Sequence, residues 1–72
     1  MNIETYLKRA QKHALEAAGY ASKTRDPDIS SWAEAAANAV DRALACTEDE
    51  GLFIVKLCRF ALACRNMCRD AA

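Results

Sequence analysis

Five side chains have the chemistry of nucleophiles, bases or soft-metal ligands: Cys46, Cys58, Cys64, Cys68 and His13. Cys64 and Cys68 stand four apart, which on a helix turns both thiols the same way and supplies two ligands for Cu(I) or half of a tetrahedral zinc site. The other half is missing by position. With the helices laid side by side, Cys46 falls at the far end from Cys64, about 24 Å away at ~1.5 Å per residue, and His13 lies nearer the level of Cys58. The thiols are therefore expected to be reduced and to fill a core as small hydrophobes. Cys64 and Cys68 remain the only metal candidates, as the runner-up reading of a small thiol-based metal- or ligand-binding bundle. No cofactor is expected, and the twin Cys-x-x-x-Cys spacing of helical-hairpin proteins is absent. His13 with Cys58 is the one nucleophile-base pairing available. No glycine-rich phosphate loop accompanies it, since the two glycines, Gly19 and Gly51, sit within or at the start of helices, and an enzyme is not expected.

Three helical patterns must position these groups. The first, over about residues 3–22 with Asn2 as N-cap, places Ile3, Leu7, Ala10, Ala14, Ala17 and Ala21 on one seam. Tyr6, His13 and Tyr20 flank that seam at intervals of seven, and Leu15 falls outside it. Glu4 with Lys8 and Lys12 with Glu16 are opposite charges four apart. The segment KTRDPD breaks the pattern, because Pro27 cannot continue the preceding helix. A second helix is expected over 29–46, with Ser31 and Glu34 as a capping box and Asp26 as a competing cap for a first turn at Pro27. Its inward face reads Ile29, Trp32, Ala33, Ala36, Val40, Ala43 and Leu44, leaving Glu34, Asn38, Asp41, Arg42 and Ala45 outside. The third helix, over 48–70, opens with a capping box of Thr47 and Glu50 and with acidic Glu48 and Asp49 at the positive end of its dipole. Phe53, Leu57, Phe60, Cys64 and Met67 recur along it at steps of four and three with Ile54, Ala61 and Cys68 beside them, and a second apolar row of Val55, Cys58 and Leu62 widens that face.

Short connections between three helices predict one domain of all-α class, a small up-down-up three-helix bundle. Tyr6, Leu7, Trp32, Val40, Leu44, Phe53, Leu57, Phe60 and Met67 are expected to contribute most of its core. Seventy-two residues bury a modest share of their surface, so a partner or second copy is expected to add stability. Ten basic residues balance ten acidic ones, which disfavours a role in holding polyanions. Lys23, Arg25, Arg65 and Arg69 gather at one end, but Asp26, Asp28 and Asp70 dilute them, and nucleic acid is a lesser reading. No apolar run of signal-peptide length opens the chain, and LFIVKLCRFALAC is short and interrupted by charge, so membrane association is not expected and a cytoplasmic location is.

What remains is a non-catalytic protein-protein interaction module. The third helix is too widely apolar for one packing contact, and the expected contact row is Val55, Cys58, Arg59, Leu62, Arg65 and Arg69, first used for a homodimer. By analogy from size, such a chain suits a regulator or inhibitor that occupies a larger protein, as bacteriophage inhibitors of host defences do.

Overall fold

The computed structural model describes residues 3–46 and 51–71 as three helices, α1 (Ile3–Ala21), α2 (Pro27–Ala45) and α3 (Gly51–Ala71). They form the expected up-down-up bundle, 39 × 16 × 13 Å, in which each helix packs on both others. Topology is fixed at three points. Gly51 at the start of α3 lies so close to Ile3 that a Cβ there would sit 3.2 Å from the isoleucine Cδ1, so α1 and α3 begin side by side. The Cys68 thiol donates to the Ile29 carbonyl at 3.6 Å, which sets the end of α3 beside the start of α2. Arg42 stacks on the Phe53 ring, 5.6 Å from its centroid, at the opposite end.

The helix boundaries follow from capping chemistry. α1 ends at Ala21, and Ser22, Lys23 and Thr24 donate their N–H groups to the carbonyls of Ala18, Tyr20 and Ala21 at 3.0–3.2 Å, tightening the exit from the helix. The Ser22 hydroxyl adds a bond to the Gly19 carbonyl. α2 starts two residues before the expected Ile29. Asp26 wins as N-cap: its backbone is extended, its Oδ1 accepts the Asp28 N–H at 2.9 Å, and Pro27 fills the first helical position, where no N–H is needed. Ser31 and Glu34, expected as a capping box, are thus interior helix positions. α2 closes at Ala45, with the Cys46 N–H on the Ala43 carbonyl. The Thr47, Glu48, Asp49 and Glu50 cap and the Asn2 cap lie outside the described residues.

The core is built from small residues. Ala17, Ala36, Ala61, Cys64 and Cys68 are fully enclosed, with Ala10, Ala39, Ala43, Val40, Ile54, Val55, Leu57 and Cys58 around them. Among the described residues, nothing larger than cysteine is completely buried. Tyr6, Leu7, Trp32 and Ile29 pack against this centre half-buried, as do Ile3, Ala14 and Tyr20.

Four expected core residues are displaced outward: Phe53, Phe60, Met67 and Leu44 are 41%, 43%, 44% and 50% exposed. The cause is the alanine content of α1 and α2. Those helices come close enough that the central space admits Ala61, Cys64 and Cys68 but no ring. α3 is therefore turned by roughly 70°, at 100° per residue, from the face its largest side chains suggest. Ile54, Cys58, Ala61 and Cys68 move in, and the aromatics move to the flank against α2.

Candidate functional site

The turn of α3 brings together, along the α1/α3 seam, residues that sequence spacing alone left apart. Tyr6, Arg9, Ala10 and His13 from α1 and Cys58, Arg59 and Leu62 from α3 line one groove of about 270 Å³. Because the two helices run parallel from a common level, residues ten into α1 meet residues ten into α3, which places His13 opposite Cys58 and Leu62. The walls are mainly apolar, formed by the tyrosine ring, the alanine methyl, the leucine and the thiol, and the mouth is bounded by two guanidinium groups.

Neither Arg9 nor Arg59 has an ion-pair or hydrogen-bond partner among the described residues. The Glu16 carboxylate, three residues from the groove-lining His13, is already committed, since it accepts a 3.1 Å bond from His13 Nδ1. That bond holds the Glu16 carboxyl below its ordinary pKa, against the opposing effect of desolvation and with help from the charges of Arg65, His13 and Lys12. Glu16 thus bonds His13 rather than the Lys12 expected from the i, i+4 pattern, while Glu4 and Lys8 do pair, at 3.4 Å. Arg65, one turn beyond Leu62, has its Nε shielded from solvent and without a hydrogen-bond acceptor among the described residues.

Charge is segregated although the chain is neutral. α1 and α3 together carry seven basic residues (Lys8, Arg9, Lys12, Lys56, Arg59, Arg65 and Arg69) against three acidic ones, whereas α2 carries three acidic residues against Arg42. The two helices that wall the groove are thus the basic ones among the three described helices.

The expected contact row is divided by this arrangement. Cys58, Arg59 and Leu62 line the groove, but Arg65, three residues beyond Leu62, is not part of the lining and Arg69 turns to Asp70 at 3.2 Å. Val55 and Cys58 are 5% and 7% exposed, so Val55 is core rather than contact surface, and Cys58 offers only its edge as groove floor. The row was expected at the rim of α3 because its packed face was centred on Phe53 and Phe60, and the turn of the helix carries it inward. Tyr6 and Arg9 were not among the expected contact residues. A signal for Tyr6, though not for Arg9, was present in the flank that Tyr6 shares with His13 at an interval of seven, but its meaning depends on which neighbour α1 meets.

Cys64 and Cys68 are enclosed, and among the described residues no cluster of three or more His, Cys, Asp or Glu side chains is placed to hold a metal ion. His13 and Cys58 share the groove as their levels suggest, yet burial raises the Cys58 pKa, as it does for Cys64 and Cys68, whereas a nucleophilic thiol needs its thiolate favoured.

Two further apolar features lie outside the groove. Phe53, Phe60 and Met67 form a seven-residue stripe on the α2/α3 flank. On the α1/α2 flank, Leu15, which is 76% exposed as expected, and Leu44 wall a 460 Å³ depression floored by Ala14, Ala18, Ala37 and Val40. No described helix is long and apolar enough to cross a membrane. The chain matches no protein-family model, no curated protein and no solved structure.

Proposed function

We propose that this chain is a non-catalytic protein-interaction module, and that its α1/α3 groove seats an acidic segment of a partner protein. The observation that carries the reading is a pair of guanidinium groups, Arg9 and Arg59, with no ion-pair partner among the described residues, at an apolar groove whose described lining holds no carboxylate. Tyrosine and arginine at the edge of a partly dry pocket are the side chains that concentrate binding energy at protein interfaces. A carboxylate seated between the arginines accepts charge-assisted bonds from both, and an apolar neighbour on the same segment covers Tyr6 and Leu62. Acting by occupying a partner, such a module is a regulator or inhibitor. The groove carries a single aromatic ring, that of Tyr6, rather than a row of them, which favours a peptide segment over a nucleic acid strand.

Selection of random displayed peptides on the immobilised protein tests this. Enriched sequences should carry Asp or Glu beside a large apolar residue and be lost when the target is the Arg9→Glu/Arg59→Glu variant. Enrichment indifferent to those substitutions would place the binding elsewhere. Single-stranded oligonucleotide bound through the same arginines, with no peptide enriched, would favour the nucleic-acid reading instead.

A further inference from the structure

One ring nitrogen in the α1/α3 groove is left over. His13, the single histidine of the chain, lines the groove with Tyr6, Arg9, Arg59 and Leu62, and its Nδ1 stands 3.1 Å from Glu16 Oε1. An ionised carboxylate can only accept, so that bond assigns the hydrogen of the neutral ring to Nδ1. Both side chains are largely shielded, 22% and 33% exposed, which limits competition from water. Nε2 of the neutral ring then carries a lone pair and no hydrogen, and it has no hydrogen-bond partner among the described residues. Facing the His13–Glu16 pair are Tyr6, Arg9 and Lys12 on α1 and Cys58, Arg59 and Arg65 on α3, while α2 contributes no side chain to the groove lining. Among these side-chain types imidazole alone ordinarily changes charge between about pH 5 and 8.

We infer that the groove takes up a proton at His13 Nε2 when it seats a carboxylate, so that binding tightens as pH falls through the histidine range. The inference rests on the groove being the site for an acidic segment, and it adds what regulates that site. A neutral His13 offers the groove an acceptor, which an anion cannot use. A protonated His13 offers a donor and a third positive charge beside Arg9 and Arg59, and the bond it makes to a carboxylate is charge-assisted. Glu16 acts at both stages: it fixes the tautomer that makes the neutral ring a poor partner, and its negative charge stabilises the imidazolium once formed. The proton comes from solvent and returns to solvent on release, and no covalent bond of the partner changes. By linkage, the anion favours the protonated ring by the same factor as the protonated ring favours the anion.

A capped leucine-glutamate-leucine tripeptide and its glutamine counterpart provide the test, with affinities read from NMR shift titrations between about pH 5.5 and about pH 8.5 at constant ionic strength. The wild type should bind the glutamate peptide about fivefold or more tightly at the acid end, and the glutamine peptide without such dependence. His13→Gln should bind the glutamate peptide with an affinity that is flat across the range. Glu16→Ala releases the tautomer, so the neutral ring can donate through Nε2, and its affinity should vary less with pH than that of the wild type. Nitrogen shifts of the single imidazole should place the hydrogen on Nδ1 at the alkaline end. Binding that needs Arg9 and Arg59 but is equal at every pH would overturn the proton coupling and leave the groove reading standing. A neutral ring with its hydrogen on Nε2 would likewise overturn it. Absence of binding at any pH, or binding untouched by Arg9→Glu/Arg59→Glu, would overturn both.

Discussion

Phe60 and Ala61 are sequence neighbours on opposite sides of the packing boundary, and exchanging their importance is the sharpest consequence of the way α3 is turned. By size, Phe60 should be the more sensitive position, because removing a fully buried phenylalanine costs about 3–5 kcal/mol. In the structure it is 43% exposed, so only a little over half of that contact is lost and water can fill the gap, giving about 2 kcal/mol for Phe60→Ala. Ala61 is fully enclosed among alanines and cysteines. Ala61→Leu forces three more carbon atoms into a site that can expand only by moving a helix, at about 3 kcal/mol or more. For a domain of this length each kcal/mol lowers the Tm by about 4–8 °C, so Ala61→Leu should melt at least several degrees below Phe60→Ala. Thermal unfolding followed by circular dichroism at low micromolar concentration, where association contributes little, reads the difference directly. The exchange Phe60→Ala/Ala61→Phe keeps composition constant and should abolish cooperative folding. Phe60→Ala proving the more damaging, or the exchange variant melting like the wild type, would refute the placement of α3.

Other consequences are more local. Asp26→Ala removes the acceptor that receives the Asp28 N–H and should cost about 1 kcal/mol, seen as a lower denaturant midpoint with an unchanged slope. Burial raises the thiol pKa of Cys58, Cys64 and Cys68 from the ordinary value of 9.0. Their neutral forms therefore support the fold fully below that pH, and stability should fall as pH rises beyond it. Cys64→Ala should flatten that alkaline decline, and disulfide reagents should modify the fully enclosed Cys64 and Cys68 only as fast as the chain opens. The Glu16 carboxyl, held down chiefly by His13, should titrate by NMR below a normal glutamate and return toward the ordinary value in His13→Ala. Because its folded pKa is depressed, its contribution to stability is present above the ordinary glutamate value and disappears as pH falls through the lowered one.

Much of the architecture is legible from residue order. Seam residues Ala10, Ala17 and Ala21 are buried as their spacing indicates, Tyr6, His13 and Tyr20 flank them half-buried, and Leu15 is outside. These readings rest on periodicity within one helix, which a single strip of sequence contains. The rotation of α3 does not. Its apolar arc is wide enough to permit several packed faces, and the choice among them is made by how closely α1 and α2 approach, a property of two other segments. The alanine run WAEAAANAV signals that close approach, but its consequence, that bulk in α3 must go to the flank, emerges only when all three helices are assembled. The start of α2 turned on a contest between two caps, and a proline able to occupy the first turn settled it in favour of Asp26. The groove was partly legible: Cys58, Arg59 and Leu62 were recognised from their row on α3, whereas Tyr6 and Arg9 gained significance only through the neighbour that faces them.

The most direct test of the groove as a binding site is an isotherm for the best selected acidic peptide, measured against the wild type and the Arg9→Glu/Arg59→Glu variant at low and high salt. The account predicts one peptide per chain, an affinity at least about tenfold weaker in the variant, and clear weakening of the wild-type complex as salt screens the arginine pair. Equal affinity for both proteins, unchanged by salt, would contradict it.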